Sequence, residues 1–238
     1  MPQSKHILDQ LETVLKSEFF AVIKDSCGSS VAKYWLTGVL PAFRDGFSPL
    51  TATRVISFNE RYHSLCGLTQ ENVNAIVKRA LPESKQAHTL DSLKRWYNGY
   101  MFSFTSSGSE NLTLYNPRLI FDHLQAAISD EISSSHIDEA NATHTATVLS
   151  VVGETGPVAI NDLINMLYSK VNARILRELS FVELMREQEM RPRDVTWSLL
   201  YYLGIVTFCE NPGMQSLRVP NGTMVHLVGP RTLCLEGY

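Results

Sequence analysis

The chain has 238 residues, 44% of them apolar, which suffices for one large hydrophobic core or two smaller ones. A formal net charge of −3 excludes a broadly basic surface of the kind that binds nucleic acid without regard to sequence. Cys27, Cys66, Cys209 and Cys234 are scattered with no CxxC pair, so their spacing supports neither a zinc site nor a disulfide framework and points to reduced thiols in an intracellular compartment.

Residues 4–26 predict an amphipathic helix. Ile7, Leu8, Leu11, Val14, Leu15, Val22 and Ile23 recur at helical spacing, Ser4 can cap the start, and Gly28 with Ser29 and Ser30 stops it. Charges interrupt this segment, so it is no signal peptide, and no run approaches the ~18 apolar residues a membrane span needs. The expectation is a cytoplasmic or nuclear protein with no membrane association. In "AKYWLTGVLP", Tyr34 to Leu36 are bulky and apolar and Pro41 ends the run. A short apolar stretch between breakers suits a strand buried on both faces of a parallel α/β sheet. "TATRVISFN" reads as a second strand.

Thr69 caps a helix over "QENVNAIVKRAL", closed off by Pro82, and a further helix runs from roughly Leu90 to Tyr97. "YMFSF" and "NLTLYN" then flank the polar turn "TSSGSE" and predict a β-hairpin. Asn116 and Pro117 supply the cap and first-turn residues of a helix, "PRLIFDHLQAAI". The polar run "SDEISSSHIDEANATHT" marks a boundary. Three domains follow from it: an α/β region at 1–128, a linker at 129–146 and a third region at 147–238. In the last, helices over "AINDLINMLYS", "SFVELMREQ" and "RDVTWSLLYYLG" precede two strands in "IVTFCENPGMQSLRVPN", joined at Asn211-Pro212-Gly213. Three helices followed by a hairpin outline a winged helix.

The densest aromatic segment is "LKRWYNGYMFSF". Its Asn98-Gly99 step permits positive φ and serves as a helix C-cap or a tight turn. A nucleotide-stacking platform would add basic residues for phosphates, and only Lys94 and Arg95 are near. A structural role therefore ranks first: Trp96 and Tyr97 close the helix, and Tyr100, Phe102 and Phe104 share one sheet face.

Active-site patterns are absent from the sequence. It contains no GxxxxGK[ST] loop, no apolar strand ending in an acidic pair, and no HExxH, GxSxG, GxGxxG or EF-hand loop. One polar pair, Thr37-Gly38, stands at the carboxyl end of the expected buried strand, where open α/β sheets place ligands, though a small polar pair at a strand exit needs no ligand.

Together, "KYWLTGVLPAF", "HSLCGLTQENV", "LKRWYNGYMFSF" and "LYNP" stand in the order and approximate spacing of the AAA-ATPase-like domain family, often coupled to a PD-(D/E)xK nuclease domain, which the chain therefore resembles. "LSFVELMRE", "TWSLLYYLGIVTF" and "LRVPN" resemble the segment that follows the ATPase core in those proteins. The resemblance implies a partial P-loop-NTPase-like parallel sheet followed by the winged-helix-like domain. It carries a nucleotide-proximal position onto Thr37 and Gly38, and family-motif positions onto Trp96, Tyr97, Asn98, Gly99, Tyr100, Tyr115, Asn116 and Pro117.

In the family a phosphate-binding loop and an acid-bearing strand precede the segment that "LETVLKSEFFAVIKDS" resembles, and neither they nor a nuclease signature is present in these residues. The implied protein is truncated and unable to hydrolyse ATP alone. It has no cofactor, ATP and Mg²⁺ entering only if another chain or segment brings the P-loop, and it acts through a protein partner or through self-association at an exposed sheet edge. A composite-site ATPase subunit is the alternative. Nucleic-acid binding is a poorer one, because "DVTWSLLYYLG" carries no Lys or Arg.

Overall fold

The computed structural model describes residues 10, 13–41, 54, 56–103, 113–129, 157–167, 169–179, 181–184, 191–209 and 216–235. The chain divides into two compact units, 1–55 with 178–185, and 56–177 with 186–238. The expected linker at 129–146 falls inside the second unit's range, and all but Ser129 of it lies outside the described residues.

In the first unit a π-helical segment, Leu15–Phe20, runs into α1, Ala21–Ser26. The expected single amphipathic helix therefore changes its hydrogen-bonding period part-way, which rotates the apolar stripe. Phe20 is buried, while Val14, Phe19 and Val22 are exposed. Gly28 ends the helix as expected, at φ +89°. The buried strand expected in "AKYWLTGVLP" is not formed: residues 33–38 have no regular structure, and Trp35, Leu36 and Val39 are 60%, 44% and 67% exposed. A short apolar run is a strand only if a neighbouring backbone offers a ladder, and none pairs with this one among the described residues. Of "TATRVISFN", Thr51, Ala52, Thr53 and Val55 lie outside the described residues, and the rest contains no strand. The first unit also holds α2, Phe181–Leu184, four residues of the helix expected over "SFVELMREQ"; beside it, the Leu179 amide donates to the Pro41 carbonyl at 3.1 Å.

The second unit begins with a 3-10 turn, Glu60–Tyr62, and α3, Gln70–Ala80. Thr69 and Asn72 close a reciprocal capping box at the start of α3: the Thr69 hydroxyl accepts from the Asn72 amide at 3.2 Å, and the Asn72 carboxamide oxygen accepts from the Thr69 amide at 3.1 Å. Next comes α4, Glu83–Tyr97, which starts seven residues before the expected Leu90. Pro82 opens it, since a proline carries no amide for a first turn to leave unpaired. Strand β1, Asn98–Tyr100, pairs antiparallel with β2, Leu114–Tyr115, but it lies earlier than the expected "YMFSF". Of that stretch Tyr100 alone is strand, Met101, Phe102 and Ser103 are not, and the sheet face expected for Tyr100, Phe102 and Phe104 is not formed among the described residues. Leu68 adds a bridge to Tyr115, its amide donating at 3.1 Å and its carbonyl accepting at 2.9 Å. Helix α5, Pro117–Ile128, is capped by the Asn116 side chain, which accepts from the amides of Arg118 and Leu119, with Pro117 in its first turn.

After the linker range come α6, Pro157–Met166, β3, Val171–Asn172, and α7, Arg193–Tyr202. Strands β4, Thr207–Phe208, and β5, Ser216–Arg218, pair antiparallel, and β3 pairs antiparallel with the other edge of β5, giving the order β3-β5-β4. Helix α8, Gly222–Leu235, closes the described chain.

The fold is thus mixed helix and sheet. Its sheets are small and antiparallel among the described residues, where a parallel sheet was expected; the one parallel pairing there is the isolated bridge Cys27–Val31. The exposed edge expected for self-association belonged to that parallel sheet. Two hydrophobic cores fill the second unit. One joins α3, α4, β2 and α5 through Val73, Val77, Leu93, Tyr97, Tyr115 and Ile120. The other joins α6, α7, the three-stranded sheet and α8 through Leu163, Trp197, Leu200, Phe208, Leu217 and Met224. No described helix is long and apolar enough to cross a membrane.

Candidate functional site

Thr37 and Gly38, the expected nucleotide-proximal pair, lie exposed in the irregular stretch of the first unit and not at a strand exit. Among the described residues, a Cβ placed on Gly38 would meet only the Leu40 carbonyl oxygen, at 3.6 Å, so none of them crowds this backbone into a cradle. The structure places the family-motif residues elsewhere, all in the second unit.

There the chain passes from one core to the other across three residues. Tyr97 belongs to the helical core, Met101 to the sheet core, and β1 spans the gap between them. Gly99 sits at φ +126°, a conformation side-chain-bearing residues rarely adopt. A Cβ there would collide with the Pro220 carbonyl oxygen, so Gly99 is required twice over, by its backbone angle and by the close approach of Pro220. Asn98 turns its side chain back to accept from the Gly99 amide at 2.8 Å.

The approaching segment is the exit of β5 and the start of α8. The Arg218 guanidinium donates from Nη2 to the Gly99 carbonyl at 3.1 Å, and from Nη1 to the carbonyls of Pro220 at 3.0 Å and Val219 at 3.4 Å. Asn221 caps α8, its carboxamide oxygen accepting from the Met224 amide at 3.1 Å. The Thr223 hydroxyl donates to the Trp96 carbonyl at 2.8 Å, one of the orphan carbonyls at the end of α4. One residue into the sheet core, the Thr207 hydroxyl accepts from the Met101 amide at 2.7 Å and donates to the Met101 carbonyl at 3.1 Å.

Among the described residues, the aromatic rings of the motif pack against protein. Tyr97 is buried with its hydroxyl 3.4 Å from His123 Nδ1, and Tyr100 stacks on Phe102 with ring centroids 6.3 Å apart. Arg95 lies over the half-buried Trp96 ring at 5.7 Å. Tyr115 is buried and donates to the Gln70 side chain. Burial pushes Tyr97 up to about 12, with the Asp122 carboxylate adding to the effect. Burial also pushes Tyr100 and Tyr115 up to about 12, against opposing hydrogen bonds from Asn221 and Gln70. These are neutral phenols locked into a core, with no face left for a base. Phe104 lies outside the described residues.

Sequence reasoning missed Arg218, Thr207, Asn221 and Thr223. A signal did exist for two of them: Asn221-Gly222 ahead of the apolar run "TMVHL" is a helix start, with Asn221 as cap and Thr223 in the first turn. Arg218 and Thr207 carry no local signal for the crossing, because the partners that tie them to it, Gly99 and Met101, are 119 and 106 residues away. Among the described residues no group of three or more His, Cys, Asp or Glu side chains stands close enough to hold a metal ion.

No family model matches the chain, and no solved structure matches it. A curated relative from Azotobacter chroococcum mcd 1, described as "Uncharacterized protein in vnfD 5'region", is 37% identical over 82 residues. The match covers 34% of this chain, which spans only 15% of the relative's length.

Proposed function

We propose that residues 1–238 form part of an AAA-ATPase-like fold that does not hydrolyse ATP by itself and acts through protein contacts, docking through its first unit on an α/β nucleotide-binding core. One observation carries this reading. Trp35, Leu36 and Val39 stand 60%, 44% and 67% exposed within five residues, and water-exposed apolar groups packed that closely mark an interaction surface. The occupant follows from the resemblance. In the family, the phosphate loop and its acid-bearing strand precede the segment that 11–26 resembles, which makes that core the partner proposed for this surface.

The arrangement of 157–218 supports the winged-helix part of the reading. A strand following the first helix pairs with the second strand of the hairpin, as a wing does when it folds back on its sheet. Because α2 belongs to the first unit, this support comes from α6, α7 and the three strands. Protein rather than nucleic acid is the favoured partner, because most of α7 is buried and its one basic side chain is already paired with a carboxylate. Val195, Thr196, Trp197, Ser198, Leu200 and Tyr201 are buried, Arg193 pairs with Asp162, and the Tyr202 hydroxyl is engaged by the Leu176 carbonyl.

The test is capture by immobilised residues 1–238 of a purified nucleotide-binding core from an AAA-ATPase-like relative. Capture that is lost in Trp35→Asp is the expected result. Absence of capture, or capture indifferent to Trp35→Asp, overturns the proposal. The exposure of Thr37 beside these residues favours one second reading, a composite site in which docking brings the Thr37 hydroxyl to a phosphate held by the partner. Under it the captured pair turns over ATP, and Thr37→Val slows that turnover without weakening capture.

A further inference from the structure

Three backbone carbonyls converge at the crossing between the two cores of the second unit. Those of Gly99, Val219 and Pro220 all lie within hydrogen-bonding reach of Arg218, and the absence of a side chain on Gly99 is what lets Pro220 come so near. Carbonyl oxygens facing one another repel, and half-buried ones need donors. A planar guanidinium meets both needs, since its fork of donors can engage carbonyls on two strands, where an ammonium would act as a point charge.

Arg218 stands on β5, whose neighbour Leu217 is fully buried in the sheet core, while Gly99 directly follows the helix that ends in the helical core. The bond from Arg218 to Gly99 is therefore a tie between cores, 119 residues apart in sequence. Thr223 makes a parallel tie from α8 to the last turn of α4.

We propose that Arg218 is a latch that makes the two cores of this unit open as one, and that Asn98-Gly99 is the hinge about which they part once the latch is removed. The inference is independent of the protein-contact reading. With the latch intact, a fluctuation that opens the helical core must also strip the guanidinium from carbonyls of the sheet core. Without it, the hinge residues, the Thr223 tie, the Tyr100–Asn221 contact and the packing of α8 on α4, where Gly222 lies against Trp96, still cross between them, and none of these carries a charged donor.

Native-state hydrogen exchange on residues 1–238 tests this. In the wild-type protein the slowest amides of α5 and of α7 exchange through one opening, with equal protection and equal denaturant dependence. In Arg218→Met, which keeps the length of the stem but not the donors, α5 amides exchange about tenfold or more faster relative to those of α7. Two groups that differ already in the wild type, or that stay matched in the variant, whether or not both accelerate, overturn the latch. Should Arg218→Met fail to fold, Thr223→Val is measured the same way. A smaller divergence of the same sign supports the proposal, and matched exchange refutes it.

Discussion

Gly99→Ala is the most informative single substitution in this chain. At φ +126° an L-residue carries backbone strain of about 1–3 kcal/mol. The new Cβ also collides with the Pro220 carbonyl, which is backbone and cannot swing away as a flexible side chain would. Relieving the collision moves the β5–α8 connection and breaks the Arg218 bonds to Gly99 and Pro220, each worth about 1.5 kcal/mol as a bond to a charged donor. The sum is about 5 kcal/mol, a third or more of the stability of a typical domain. For a unit of this size that lowers the melting temperature by about 10–20 °C.

Gly204→Ala is the control within the same unit. Gly204 also has positive φ, +75°, but its Cβ would meet only Tyr100 Cε1 at 3.4 Å, so its destabilisation stops at the backbone term of about 1–2 kcal/mol. Urea unfolding followed by circular dichroism measures both. A Gly99→Ala protein within about 1 kcal/mol of wild type, or no less stable than Gly204→Ala, refutes the reasoning about the crossing.

Two further outcomes follow from the local chemistry. Thr69→Ala removes one half of the capping box on α3 and destabilises the second unit by about 1 kcal/mol in the same urea assay; no change would show that Asn72 caps the helix alone. Tyr97, Tyr100 and Tyr115 have folded pKa values raised from about 10 to about 12, and burial raises Tyr201 in the same direction. An unfolded tyrosine then loses its proton first. The stability these phenols support is fully present below pH 10 and declines as pH rises from about 10 toward 12. Ultraviolet difference titration alongside circular dichroism checks this, and nine tyrosines titrating together near pH 10 with the fold intact would contradict it.

Local signals survive translation into structure best. Thr69, Asn116 with Pro117, and Gly28 each act on backbone groups within four residues, and each does in the fold what its residue type predicts. The Asn-Gly step likewise reads correctly as a crossing from helix to strand. Long-range pairing is where legibility ends. Val171–Asn172 is a two-residue strand inside "SKVNAR" with no alternation to announce it, and it exists because β5 offers an edge.

The stretch "YWL" fails for the converse reason, since bulk and apolarity there describe a surface as well as a buried strand. Helix α8 runs on through Gly229 and Pro230, the pair that ordinarily marks a helix end, so its length could not be read from composition. The latch side chain, Arg218, looks like any surface arginine in "SLRVPN" until its partner from β1 is brought beside it.

The central proposal is that residues 1–238 do not split ATP by themselves. Steady-state ATP turnover by a homogeneous sample of residues 1–238, with Mg²⁺ present and with contaminating ATPases excluded by active-fraction analysis, measures it directly. The account predicts a rate indistinguishable from buffer across the whole concentration range. Turnover that co-purifies with the chain and scales with its concentration would contradict it.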